Sequence, residues 1–298
     1  MRPVSTLDRW LATRTFHHAD FPPERLAVER DATVSVCVPA KECARTIEGV
    51  VRALVGLVEQ GAFDEVLVID ASSEDGTAEL ARAAGAGVVD EASLLPAFGP
   101  VLGKGDAMWR SLSASTGDVV VFVDGDSDPF EAHFASGVLG PVVCEPGAEL
   151  AKGFYRRPFR AGPTTLPEGG GRVTELTAKP LLRRHWPELA GFHQPLAGEM
   201  AARRALLERL PFSTGYAVEM ALLIDAYRDG GLRRLAQVDL DARQNAHQSL
   251  AGLTSMADHV LEAATRRLVA DGRLTDPGTP VVEIVERPPM RTVRASAA

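Results

Sequence analysis

Val119-Val-Val-Phe-Val123 runs without a break into Asp124-Gly-Asp-Ser-Asp128. Five β-prone apolar residues in a row read as a strand buried on both faces. The acidic cluster therefore falls at a strand end. Two carboxylates two positions apart, Asp124 and Asp126, can jointly hold a hard divalent cation and, through it, a diphosphate. The bare D-x-D pattern is common, and its plainer reading is a solvated turn or a helix cap. The apolar strand in front of it gives it weight. Asp128, before Pro129, reads as a cap for the next segment.

The same alternation extends upstream. Val34-Ser-Val-Cys-Val38 is β-rich and stops at Pro39. Residues 45–59 read as a helix, with Ile47, Val50, Val51, Leu54, Val55 and Val58 on one stripe. Val66-Leu-Val-Ile69 is a second short apolar strand. Asp75 is placed to cap a helix that runs through Ala84 and ends at Gly85. Val88-Val89 reads as a third strand and residues 104–116 as a further helix. Strands alternating with helices imply an α/β fold with a mostly parallel sheet. Ligands of such sheets bind at the carboxyl ends of the strands. Three polar clusters fall there: residues 39–43, 70–75 and 124–128.

Downstream, residues 149–155 read as a strand. Gly169-Gly-Gly-Arg172-Val-Thr174 combines free backbone N–H groups, a guanidinium and a hydroxyl at an expected helix start. That suits a phosphate or carboxylate, against the plainer reading of a flexible loop. The helix over 173–184 should kink at Pro180. Residues 216–228 read as a helix, 233–238 as a strand and 250–270 as a long amphipathic helix. Val281-Val-Glu-Ile-Val285 is β-like, and the basic tail behind it is expected to be mobile. In Arg243-Gln-Asn245-Ala-His247 a histidine follows a strand and can meet Asp124 and Asp126 in space, although a lone histidine is more often structural.

The 298 residues allow one large or two small domains. Forty acidic against thirty-two basic residues give a net charge of −8, which argues against a general nucleic-acid or membrane-surface binder. No apolar run approaches the ~18 residues that span a bilayer, and residues 1–20 do not read as a signal peptide. Cys37, Cys43 and Cys144 show no C-x-x-C spacing, so reduced thiols and a cytoplasmic protein are expected. Only four basic residues are lysines: Lys41, Lys104, Lys152 and Lys179. That scarcity draws attention to Lys104, which opens a helix. No dinucleotide fingerprint, P-loop or nucleophile elbow is present.

Residues 33–126, with Pro39-Ala40, 70–77, Gly103-Lys-Gly-Asp-Ala-Met-Trp-Arg-Ser-Leu112 and Phe122-Val-Asp-Gly-Asp126, resemble the retaining GT-A glycosyltransferases. Gly170-Gly-Arg-Val-Thr-Glu-Leu-Thr-Ala-Lys-Pro-Leu-Leu182, Gln194-Pro-Leu-Ala-Gly-Glu199 and Gly215-Tyr-Ala-Val-Glu219 narrow the resemblance to the glucosyl-3-phosphoglycerate synthases, with the mannosyl-3-phosphoglycerate synthases as near relatives. Phe16-His-His-Ala-Asp-Phe21 is similar to that family's N-terminal arm. The likeness covers about residues 5–270.

The resemblance implies a GT-A domain over 1–250, with a nucleotide-sugar half (33–128) and an acceptor half (129–250), and a C-terminal helix and tail over 251–298. It implies transfer of a hexose, glucose from UDP-glucose first, to the 2-hydroxyl of D-3-phosphoglycerate with retention, using Mg²⁺ or Mn²⁺, by a cytoplasmic homodimer. Carried over, Pro39, Ala40, Glu42, Asp70, Lys104, Asp124 and Gly125 would bind the donor. Gly171, Arg172, Val173, Thr174, Tyr216, Glu219, Arg243 and Asn245 would bind the acceptor. Asp126 and His247 would hold the metal, and Lys104, Arg172 and the main-chain carbonyl of Leu196 would serve the reaction itself.

Three positions depart from the family pattern. The acid after Pro-Ala is shifted by one, so Cys43 stands where the family reads uracil with Glu. Asp-Ser-Gly-Ser becomes Asp70-Ala-Ser-Ser73. Arg-x-His-x-Asn becomes Arg243-x-Asn245-x-His247. These changes fall on the donor and metal side and leave a different donor, GDP-mannose among them, or a weakly active binding protein as alternatives. A sugar-phosphate nucleotidyltransferase would need a Gly-rich basic loop after the first strand, where Pro39-Ala-Lys-Glu-Cys43 stands instead.

Overall fold

The computed structural model describes residues 5–157, 159–161, 164–166, 170–243 and 249–297. Its central sheet, among these residues, is built from β1 (Thr15–His17), β2 (Val34–Ala40), β3 (Glu65–Asp70), β4 (Gly87–Asp90), β5 (Val119–Phe122), β6 (Leu150–Arg156), β7 (Met200–Arg203) and β8 (Leu235–Ala242). Their spatial order is β1-β8-β6-β7-β5-β2-β3-β4. Only β7 runs antiparallel to its neighbours. The other pairings are parallel, so the expected α/β sheet is present.

Every residue of β5 is buried. Alternation sends Val120 and Phe122 into one core with Trp109, Leu112 and Met200. Val119 and Val121 enter the other, with Val36, Val50 and Leu54. Each such side chain contributes about 1.5–3 kcal/mol by leaving water. Helices α1 (Thr6–Arg14), α2 (Ile47–Glu59), α3 (Thr77–Ala83), α4 (Lys104–Ala114), α5 (His133–Cys144), α6 (Lys179–His185), α7 (Val218–Gly230) and α8 (Leu250–Ala270) cover the sheet. On α2 the buried stripe takes Leu57, while Val55 and Val58 stay half-buried.

Several local expectations are corrected. Gly76, with φ +89°, occupies the cap position of α3, because the chain turns there through the left-handed region. Asp75 still accepts from the Thr77 N–H at 3.0 Å and also from the Ala44 N–H at 2.9 Å. The kink expected at Pro180 takes the form of a π-helical turn over Thr174–Ala178, directly before α6. Residues 281–285 are not a strand. The pairing falls one step later, where Glu286–Arg287 lies antiparallel to Phe212–Ser213. The tail behind it is docked, not mobile. Arg287 is buried on the Asp106 carboxylate at 2.7 Å, the Trp109 indole donates to the Pro288 carbonyl at 2.8 Å, and Met290–Ala297 forms α9. Ile284 and Met290 join the same core as Val260, Leu268 and β5.

Candidate active site

The carboxyl ends of β2, β3, β5, β6 and β8 and the amino end of β7 meet on one rim of the sheet. On the donor side, Ala40 at the end of β2 pairs in register with Asp70 at the end of β3. Asp70 is buried. Its Oδ2 accepts from the Ser73 N–H at 3.0 Å, and its Oδ1 has no hydrogen-bond partner among the described residues. Glu42, with φ +52°, ties the two donor-side loops together: its N–H donates to Ser73 Oγ at 2.9 Å and its carboxylate accepts from the Glu74 N–H at 3.0 Å. Cys43 is buried beside it, and burial pushes its thiol up to about 11, so it offers a neutral S–H. Gly125 lies against Pro39 and Ala40; a Cβ there would stand 3.3 Å from the Pro39 carbonyl oxygen.

Lys104, the first residue of α4, joins the loop after β5 to the first turn of α7. Its Nζ stands 2.6 Å from Asp124 Oδ1 and 2.7 Å from Glu219 Oε1. Burial disfavours its charge, but Asp124 and Glu219 outweigh this and hold its pKa well above the ordinary lysine range. Gly105 makes the approach possible, because a Cβ there would fall 2.0 Å from the Ser213 carbonyl oxygen. Burial alone would raise the Asp124 pKa; Lys104 and Arg243 reverse that and hold it well below the usual carboxylate range. Asp124 is thus fixed as an anion between two cations, with Arg243 Nη1 at 3.6 Å from Oδ2. Asp126 points outward with a side chain 78% exposed, and its nearest basic group is Arg243 at 3.9 Å. Of the two, Asp126 is the carboxylate open to a hard cation.

Behind this pair lies a buried cluster. Arg243 is ion-paired with Glu199 and donates to Ser127 Oγ at 2.5 Å and to the Tyr155 hydroxyl at 3.2 Å. Arg157 donates to the same hydroxyl at 2.8 Å and stacks over the Tyr155 ring at 4.9 Å. Its backbone carbonyl accepts from the Gly170 N–H at 3.3 Å. Gly171 follows with φ +70°, and its carbonyl accepts from the Glu175 N–H at 3.0 Å. The helical run therefore starts at Arg172, with Val173 and Thr174 in its first turn. Residues 171–174, expected to cradle an anion, thus fall at a helix entry beside Arg157.

The turn Gln194–Ala197 is closed by the Ala197 N–H on the Gln194 carbonyl at 3.1 Å and carries Leu196 half-buried on this rim. Gly198 packs on Asp124, where a Cβ would stand 2.4 Å from Oδ2. Lys152, from β6, donates to the Ala197 carbonyl at 2.8 Å. Burial, aided by Lys104 and opposed by Glu219, Glu199 and Asp124, lowers its ammonium to about 8. Tyr216 is half-exposed and stands edge-on to His259 with ring centroids 6.0 Å apart. Asn245 and His247 lie outside the described residues. The scarcity of lysine marked Lys152 in the sequence but gave it no role, and Tyr155, Arg157 and Ser127 were not singled out; the signal available was Phe154-Tyr-Arg-Arg157, a basic run at a strand end.

A mostly parallel sheet with an acidic D-x-D rim and a lysine held between Asp124 and Glu219 marks a GT-A glycosyltransferase. Residues 35–136 match glycosyl transferase family 2. The glucosyl-3-phosphoglycerate synthase of Mycolicibacterium smegmatis is 40% identical, over 96% of this chain and 98% of its own length. The crystal structure of mannosyl-3-phosphoglycerate synthase from Rubrobacter xylanophilus superposes with a TM-score of 0.89 at 43% identity, covering 97% of this chain and 98% of its own. Glucosyl-3-phosphoglycerate synthase from Mycobacterium tuberculosis, crystallised with Mn²⁺, UDP-glucose and phosphoglyceric acid, gives a TM-score of 0.82 at 40% identity, over 95% and 99% of the two chains. The chain belongs to the glucosyl-3-phosphoglycerate synthase family.

Proposed function

We propose that this chain transfers glucose from UDP-glucose to the 2-hydroxyl of D-3-phosphoglycerate with retention at the anomeric carbon. The observation that carries the reading is Lys104 held between Asp124, on the expected donor side, and Glu219, on the expected acceptor side. The M. tuberculosis relative holds Mn²⁺, UDP-glucose and phosphoglyceric acid together. Asp70 and the Pro39–Ala40 edge take the base, and Asp124 the ribose and diphosphate region. The cradle takes the acceptor phosphate, with Tyr216, Glu219 and Arg243 beside it. Lys104 and Arg172 face the charge that develops on the leaving diphosphate, where fixed cations act most strongly. The Leu196 carbonyl accepts a hydrogen bond from the attacking hydroxyl, whose proton passes to the departing diphosphate as the new glycosidic bond forms. Exposed Asp126 fits a hard divalent cation, Mg²⁺ or Mn²⁺, for which the sequence offers Asn245 or His247 as a second ligand; when bound, the ion would neutralise the diphosphate. The protein acts as a cytoplasmic homodimer. No helix among the described residues is long and apolar enough to cross a membrane.

Mannose from GDP-mannose is the second reading, supported by the R. xylanophilus neighbour and by Cys43 and Ala71 at the donor edge. Incubation with 3-phosphoglycerate, Mn²⁺ and a panel of UDP-, GDP- and ADP-hexoses tests both, with the product's sugar and anomer read by NMR. Glucosylphosphoglycerate from UDP-glucose supports the first reading and mannosylphosphoglycerate the second. No product with any donor overturns both.

A further inference from the structure

Lys152 is 1% exposed, yet it forms no ion pair within 4.0 Å among the described residues. Its described partner is the Ala197 carbonyl, at 2.8 Å. A buried ammonium without a paired anion is costly, and a neutral side chain of the same length would fill the space with less penalty. Stability alone therefore does not account for a lysine here. What it holds is informative. Ala197 closes the turn that presents Leu196, and Gly198, the next residue, packs directly on Asp124. The rest of the turn is pinned from the same strand: the Gly153 N–H donates to the Glu199 carbonyl at 2.9 Å, and the Gln194 amide donates to the Tyr155 carbonyl. Lys152 supplies the one charged grip in this set, and charge-assisted hydrogen bonds are about twice as strong as neutral ones.

We infer that Lys152 is a positioning residue for glycosyl transfer, fixing the turn Gln194–Ala197 so that the Leu196 carbonyl meets the acceptor hydroxyl. The inference rests on the role given to Leu196 above. Substrate binding uses other groups, so the residue acts on the chemical step and not on affinity.

The test compares full-length wild type, Lys152→Met and Lys152→Gln in steady-state kinetics and thermal melts. Lys152→Met is expected to lower kcat by about 10²-fold, the scale of an ångström-level misplacement. KM for UDP-glucose and for 3-phosphoglycerate should stay within about threefold of wild type, and the melting temperature should hold or rise. Lys152→Gln keeps an N–H donor and should recover part of the lost kcat. An unchanged kcat in Lys152→Met overturns the inference. So does a rise in either KM at constant kcat, which would make Lys152 a substrate contact. Loss of folding in both variants overturns it in favour of a structural role. An inactive wild type would overturn the functional reading itself, whereas an active wild type separates the two questions.

Discussion

Lys104 and Glu219 meet as an ion pair at 2.7 Å, one opening α4 and the other in the first turn of α7. The same ammonium holds Asp124, so one cation fixes the donor-side and acceptor-side carboxylates relative to each other. Removing it leaves two anions in a confined space and takes a positive charge from the leaving diphosphate. Lys104→Met is expected to lower kcat by about 10²–10³-fold, the range for losing one electrostatic contact to a transition state. Steady-state rates with UDP-glucose measure it. A kcat within a few-fold of wild type would show that Lys104 only braces the fold.

The Arg243–Glu199 pair carries stability as well as shape. Both side chains are buried, and Arg243 also serves Ser127 and Tyr155. Removing one member strands a charge away from water. Arg243→Met should cost about 3–5 kcal/mol in urea unfolding. The double variant Arg243→Met, Glu199→Met should recover much of that loss, because no charge then remains unpaired. A double variant as unstable as the single one would show that lost packing dominates.

How much of this was legible in the sequence follows from how far apart the partners lie. The apolar runs at 34–38, 66–69 and 119–123 state their burial directly, and β2, β3 and β5 lie there. Lys104 stood out because lysine is scarce, and the glycine run before Arg172 because its backbone is bare. The Tyr155–Arg157–Glu199–Arg243 cluster was not legible. Tyr155 lies in β6, and Arg157, Glu199 and Arg243 flank β6, β7 and β8, which adjoin only through a sheet order that interleaves distant segments. The tail misled for the same reason: Arg287 looks solvated locally, but Asp106, far back in α4, holds it. The β-like residues 281–285 offer a core contact through Ile284 instead of a strand.

Glu91, just after β4, gives a pH dependence with a definite sign. It is 1% exposed, and its Oε1 has no hydrogen-bond partner among the described residues. Burial, reinforced by the Asp106 charge, pushes its pKa up to about 8. In the unfolded chain it titrates near 4.5. Between these values the folded state binds the extra proton, so stability falls as pH rises from 4.5 toward 8 and then levels. Glu91→Gln removes this slope. Each tenfold change in acidity is worth about 1.4 kcal/mol, so at pH 9 the variant should exceed wild type by about 2 kcal/mol or more. Chemical denaturation at pH 5, 7 and 9 measures the difference. A constant gap across the three would show that Glu91 does not titrate in this range.

The order Asn245-Ala-His247, against His-x-Asn in the family pattern, makes metal affinity the most direct test of the donor side. Asp126 supplies one exposed carboxylate, while Asp124 is committed to Lys104 and Arg243. Asp126→Asn should therefore weaken Mn²⁺ binding in the presence of UDP by at least tenfold, and Asp124→Asn should weaken it far less. The swap Asn245→His, His247→Asn places an imidazole where the family has one, and should tighten Mn²⁺ by about tenfold. Titration followed by electron paramagnetic resonance of free Mn²⁺ reads all three variants without turnover. Weaker binding in the swap would identify His247 as the ligand already in use. Unchanged binding would leave Asp126 and the nucleotide diphosphate as the whole of the site.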